Sequence, residues 1–300
     1  MAKLEFLWFG IRGRYGVWND GLRLALKKIE EKHQVSYKDP TDEIDPDAII
    51  LFWEAPCCTN GKDGDMYRKV QKLPNKKALL FAGGPIKAEW LDGFDHVFYE
   101  SKINGDELRA LGIPCSLAFG INDEVMRPIP SEKLYAGIHH GTCASWKRQW
   151  LVAEALGDRA VVVGRYQETD PHPFDECRRL GTLVLPEHQP EGVAKLLNQS
   201  EVCVQTSDFH GGGQRCTLEA MACGIPVVCM SDSPKNREYV EESGFGAVCE
   251  PNAQDIRKAV EQVKGMDPQR GVDYVKSKWT GRHYADALLE WIDKQHAVNP

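Results

Sequence analysis

Short apolar runs alternate with segments of helical period along most of the chain. Residues 4–9, 48–53, 78–82 and 97–99 are apolar and bounded by glycine or polar turns, which predicts buried strands, with a short one near Ser116. Between them, Leu22, Leu26 and Ile29 recur at helical spacing behind Asn19 or Asp20 as a cap, and further helical patterns cover 66–72 and 104–111. After Pro128 and Pro130, which suit a stiff linker, the alternation resumes. Strands are expected over 134–139, 160–163, 183–185, 202–204, 227–230 and 246–249. Ser145 is placed to cap a helix carrying Trp150, Leu151, Ala153 and Ala155, and a last helix covers 284–292. Strands alternating with helices predict α/β architecture with parallel sheets. The expectation is two Rossmann-like doubly wound domains, 1–128 and 129–300, with ligands beyond the carboxyl ends of the strands.

Composition narrows the class without changing that picture. Three hundred residues with 42% hydrophobic and 27% charged positions suit one large or two medium globular domains. No run approaches the roughly 18 apolar residues of a membrane span, and Met1-Ala2-Lys3-Leu4-Glu5-Phe6 has no apolar signal region, so a cytoplasmic location is expected. A net charge of −7 gives no general attraction to nucleic acid. Most of the ten cysteines fall singly in apolar runs and none forms a C-x-x-C pair, so they read as reduced core residues, with adjacent Cys57 and Cys58 the pair to check for reactivity. Asp45-Pro46-Asp47 and Asp63-Gly64-Asp65 formally satisfy a D-x-D pattern, but neither directly follows an apolar strand, and both read as loops. No His/Cys/Asp cluster has metal-ligand spacing, so no metal and no cofactor is expected.

The candidate chemistry centres on residues 209–229. Gly211, Gly212 and Gly213 lead through Gln214, Arg215, Cys216 and Thr217 into a helical pattern containing Glu219, ended by Gly224 and followed by an apolar strand. A glycine turn feeding a helix gathers unpaired backbone N–H groups at the positive end of the helix dipole, a site suited to phosphate. In the first half, Gly10, Gly13 and Gly16 follow the opening strand with the spacing G-x-x-G-x-x-G, which is not the dinucleotide fingerprint. Arg12, Gly13 and Arg14 in that loop face either donor phosphate or an anionic acceptor, or form a solvated loop. Glu54 ends the Ile49-Ile50-Leu51-Phe52 strand where clefts form in such folds, a position for an acid or base on the acceptor side. His139 and His140 are candidate bases or ligands, with a hydrogen-bonded strand-end role as the alternative.

The run Glu219-Ala220-Met221-Ala222-Cys223-Gly224-Ile225-Pro226-Val227-Val228 resembles the nucleotide-sugar site of retaining glycosyltransferase family 4 (group 1), whose fold is GT-B. Gly120-Ile121-Asn122-Asp123-Glu124-Val125-Met126-Arg127-Pro128 is similar to that family's domain junction, with Asn122 and Met126 in place of Asp and Phe. The resemblance implies that Glu219 bonds the nucleotide ribose, that the turn before it cradles diphosphate and sugar, and that Lys147 grips the diphosphate. It implies a donor site made of His210, Gly211, Gly212, Gly213, Gln214, Cys216 and Thr217, and a C-terminal helix that returns to the first domain. Two positions depart from the family. Gly211 stands where the first Glu of the motif holds the sugar, which leaves His210 or the glycine backbone to serve it. Thr142 stands where an Arg meets phosphate, which leaves Arg148 or Arg215 as the replacement.

The function so implied is transfer of a sugar from a UDP-, GDP- or ADP-sugar to an acceptor hydroxyl, with retention and without metal. The acceptor is a glycan, a small molecule or a modified base in DNA. A sugar-nucleotide epimerase of the same fold and a nucleotide-sugar-binding module without catalysis are the competing readings.

Overall fold

A computed structural model describes residues 1–8, 20–54, 61–81, 86–209 and 214–298. They divide into two units, Met1–Gly120 with Thr280–Pro300, and Ile121–Trp279. Each unit is built on a six-stranded sheet whose pairings are all parallel.

The first unit runs β1 (Lys3–Leu7), α1 (Asp20–Ile29), β2 (Gln34–Lys38), β3 (Ile49–Glu54), α2 (Gly61–Gln71), β4 (Lys77–Phe81), α3 (Ala88–Leu91), β5 (His96–Tyr99), α4 (Lys102–Ala110) and β6 (Cys115–Leu117). Its strand order is β2-β1-β3-β4-β5-β6. Strands such as β4 are buried at every position, as a sheet covered on both faces requires. Leu79, Val97, Phe52 and Tyr67 belong to one core cluster. Each fully buried aliphatic side chain there contributes about 1.5–3 kcal/mol. The chain's last helix, Gly281–Val298, packs on α1, and Trp291 meets Phe98 edge-on at 6.1 Å.

Two elements of this unit differ from the sequence expectation. β2 was not anticipated, because Gln34–Lys38 is a partly exposed edge strand without an apolar run. Asp63-Gly64-Asp65 is not a loop; it lies in α2, which starts at Gly61 because Tyr67 and Val70 anchor it to the core and override the weak propensities of Gly and Asp. Asp65 pairs with Arg68 one turn on, at 2.7 Å, as an exposed helix carboxylate.

The second unit runs β7 (Gly137–His140), α5 (Trp150–Leu156), β8 (Ala160–Val163), α6 (His172–Arg179), β9 (Leu183–Leu185), α7 (Pro190–Asn198), β10 (Cys203–Gln205), α8 (Gln214–Ala222), β11 (Val227–Met230), α9 (Pro234–Ser243), β12 (Gly246–Cys249), α10 (Ala253–Val263) and α11 (Pro268–Lys278). The strand order β12-β11-β10-β7-β8-β9 puts the first strand in the middle. Successive strands add to one side of β7 and then to the other. The order therefore reverses between β7 and β10, and a crevice opens beyond their carboxyl ends. Gly224 ends α8 as expected, with φ +72° and its N–H donating to the Met221 carbonyl at 2.9 Å. All eight described cysteines are free thiols.

Candidate functional site at the switch point of the second unit

β7 places two adjacent histidines on opposite faces of the sheet, as the two-residue period of a strand demands. Both are strand residues, so His140 does not begin the following loop. His139 is fully buried and, among the described residues, neither ring nitrogen has a hydrogen-bond partner. Burial, with Lys147 adding to it, holds its pKa well below the ordinary histidine value, so it is neutral. The hydrogen-bonded strand-end role does not apply to it.

His140 faces α8. Its Nε2 lies 2.9 Å from Glu219 Oε2, with both side chains buried. Cys216 is one turn before Glu219 on the same helix face, and ligand atoms of His140, Cys216 and Glu219 lie within 4.8 Å of one another. Burial works against the His140 charge, but Cys216, Cys203 and Glu219 outweigh it and raise its pKa well above the usual value. Burial pushes the Cys216 thiol up, yet His140 and Lys147 outweigh that and bring it down. On the other side of the ring, Cys203 Sγ is 3.9 Å from Nδ1, and Gln205 Nε2 donates to the same sulfur at 3.3 Å. Sequence spacing gave no metal-type cluster; the fold assembles this one from two distant segments.

Lys147 arrives from the turn after β7. Ser145–Lys147 form a single 3-10 turn, and Ser145 is not a helix cap. Its N–H and hydroxyl are instead held by the Asp170 carboxylate, the hydroxyl at 2.7 Å. Thr206, just past β10, donates its hydroxyl to the Lys147 carbonyl at 2.6 Å, and Asp208 N–H donates to the Trp146 carbonyl at 3.0 Å. The segments leaving the two switch-point strands are thus tied to each other. The Lys147 ammonium is buried, 4.8 Å from the centroid of Trp146. It makes no ion pair with any described residue. Burial lowers its pKa, Arg215 adds to that, and Cys216 and Glu219 oppose it. Space for this side chain comes from Gly141, whose φ is +144° and where a Cβ would sit 2.9 Å from Lys147 Nζ. Gly164 approaches even more closely: a Cβ there would lie 1.8 Å from the Gly141 carbonyl oxygen.

The other sequence candidates divide. Arg215 lies on α8, its Nε 3.8 Å from Glu219 Oε1, and is partly exposed. Arg148 is the one described non-glycine residue with positive φ, at 49°. Its Nε donates to the Thr206 carbonyl at 2.8 Å, and its two terminal nitrogens each donate to Asp232 at 2.7 Å. It is committed to this tie. Thr142 is partly buried and its carbonyl accepts from the Gln149 amide at 2.9 Å. Thr217 is fully buried and donates to Asn236 Oδ1 at 2.7 Å, which anchors α8 to α9. Gln214 is the first residue of α8. Glu54 closes β3 at the corresponding switch point of the first unit, between β1 and β3, and is partly buried. Arg12, Gly13 and Arg14, and His210, Gly211, Gly212 and Gly213, lie outside the described residues, as do Cys57 and Cys58.

Residues 161–271 match the family model for glycosyl transferases group 1. No curated protein sequence matches the chain significantly. Among solved structures, the chain is similar to sucrose-phosphate synthase from Thermosynechococcus elongatus, at 13% identity and a TM-score of 0.77 over 100% of both chains. It is similar to Anabaena HepE in complex with UDP and glucose, at 12% identity and a TM-score of 0.76, over 98% of this chain and 100% of that one. An alpha-glucosyltransferase in complex with UDP-glucose and DNA containing an abasic site matches at 12% identity and a TM-score of 0.66, over 98% of this chain and 99% of that one. These likenesses establish the GT-B fold expected from the sequence.

Proposed function

We propose that the chain, whose residues 161–271 match group 1 glycosyl transferases and whose fold is GT-B, transfers a sugar from a UDP-sugar to an acceptor hydroxyl, with retention and without a metal ion. The observation that carries this is the pairing of buried Glu219 with His140 at the switch point, close to a buried lysine that forms no ion pair with any described residue. Glu219 suits the two ribose hydroxyls, since a carboxylate accepts from both. Lys147 and the N-terminal end of α8 suit the diphosphate, and together they stabilise the charge that develops as the sugar–phosphate bond breaks. A retaining transfer lets the departing phosphate take the proton of the acceptor hydroxyl, so no side chain need act as base.

Uridine is the base we assign, in keeping with HepE and the alpha-glucosyltransferase, whose structures hold UDP or UDP-glucose. The acceptor is a glycan, a small molecule or a hydroxylated base in DNA; the last is motivated by the DNA in one of those structures. The free thiols, and the lack among the described residues of any helix long and apolar enough to cross a membrane, accord with a cytoplasmic enzyme.

The test is thermal stabilisation by UDP, GDP and ADP, followed by incubation with the matching glucose donors. A ligand at 100 times its Kd adds about 2.7 kcal/mol. UDP should stabilise most, and UDP-glucose should be hydrolysed slowly or transferred. A changed sugar with no acceptor would identify an epimerase instead, and binding without turnover a module that has lost catalysis.

A further inference from the structure

The cluster of His140, Cys216 and Glu219 has a second chemistry. One imidazole nitrogen, one thiol sulfur and one carboxylate oxygen, all from buried side chains, lie within 4.8 Å of each other. Tetrahedral zinc places its ligand atoms about 3.3–3.7 Å apart, given bonds of about 2.0–2.3 Å. Each side chain therefore needs to move by an ångström or less. Two ligands share one face of α8 and the third ends a strand in the sheet centre, so the frame around them is rigid. The second ring nitrogen of His140 already has a partner in Cys203, which Gln205 holds in turn. Support of that kind on the far nitrogen orients ligating histidines and sets which nitrogen binds. A nitrogen, sulfur and oxygen set matches Zn²⁺ and Co²⁺ and is too soft for Mg²⁺ or Ca²⁺.

We infer that His140 Nε2, Cys216 Sγ and Glu219 form a Zn²⁺ site that excludes the nucleotide, because the ion occupies the carboxylate that the ribose requires. The exclusion rests on the ribose assignment to Glu219 made above; the metal site does not. Binding replaces the proton shared in the His140–Glu219 contact and the thiol proton of Cys216, and both leave to solvent. The coordinated thiolate and carboxylate then balance the two charges of the ion. Lys147 sits near enough to feel both groups, so the ion and the ammonium compete for the same negative charge. The ion acts as an inhibitor: it takes no part in transfer, and its removal restores the donor site.

The experiment uses the full chain, stripped with EDTA and desalted, and titrated with Co²⁺ alone. The expected result is a near-ultraviolet thiolate-to-cobalt band with visible bands of tetrahedral intensity, lost on adding Zn²⁺. Cys216→Ser should abolish the ultraviolet band with the circular dichroism spectrum unchanged. Cys203→Ser should keep it. Saturating UDP should weaken Co²⁺ binding at least tenfold, and equimolar Zn²⁺ should weaken UDP binding in return. Absence of the band, or its persistence in Cys216→Ser, overturns the site. A band that depends on Cys216 and Glu219 while UDP binds unhindered overturns the exclusion. If Glu219→Gln then also leaves UDP affinity unchanged, the fault lies with the ribose assignment.

Discussion

His140 and Glu219, separated by 79 residues in the chain, meet at 2.9 Å where β7 and α8 converge. The contact joins the first strand of the second unit to α8, and it holds the carboxylate on which the proposed function depends.

Glu219→Gln retains the shape and one hydrogen-bond acceptor but removes the charge. Nucleoside diphosphate binding should weaken by about 1.5–3 kcal/mol, the worth of hydrogen bonds to a charged group. Calorimetry on the folded variant checks this; unchanged affinity would separate Glu219 from the ribose.

Turnover should survive EDTA. In the proposed mechanism Lys147 and the end of α8 take the place that a metal has in other sites. Activity lost in EDTA and restored by Mn²⁺ or Mg²⁺ would count against this. Asp65 would not be the ligand to revive alone, since it is an exposed helix residue paired with Arg68.

The Arg148–Asp232 tie gives a pH signature. Hydrogen bonds from Arg148 hold the Asp232 carboxyl below its usual range. The folded state therefore binds this proton less readily than the unfolded state does. Its contribution is complete above the unfolded carboxyl value of about 3.9 and fades as pH falls through the folded value. Asp232 is 42% exposed, so screening limits the effect to about 0.2–1 kcal/mol. Urea midpoints of wild type and Asp232→Asn should differ by a constant amount above about pH 5 and converge in acid. A gap that widens in acid would refute the assignment.

Gly164→Ala should damage the proposed donor site without touching it. The added Cβ would fall 1.8 Å from the Gly141 carbonyl oxygen, which is backbone and cannot swing aside. Overpacking of this kind costs about 1–3 kcal/mol. The shift passes to the Gly141 turn that makes room for Lys147, so UDP affinity should drop together with thermal stability. Gly181→Asn is the control: its φ of +82° makes the substitution cost stability through backbone strain, but nothing lies within 4 Å of a Cβ there, so UDP affinity should stay intact.

Much of the fold was legible because parallel strands covered on both faces announce themselves as apolar runs. Val227–Met230 and Ala160–Val163 were expected where they occur. β2 carries no such run, and α2 begins in residues whose local preference is for turns. Within the site, Glu219 and Lys147 were visible because local motifs carry them. The partners that hold them were not. Asp170 and Asp232 reach the turn from distant loops, and His140 could not be told from His139 until the strand register assigned each a face.

The first unit is assembled from both ends of the chain, residues 1–120 and 280–300. The C-terminal helix covers α1: a Cβ on Gly281 would meet Leu24 at 2.5 Å, and His33 contacts Asp293 at 3.2 Å. On the ribosome, the apolar face of α1 therefore emerges early and waits for its cover until the intervening residues are made. The second unit, Ile121–Trp279, is continuous and can fold as it emerges. The N-terminal part of the first unit is thus a stretch left open to chaperones during synthesis, and a ribosome stalled before residue 280 would carry a continuous second unit and an unfinished first one.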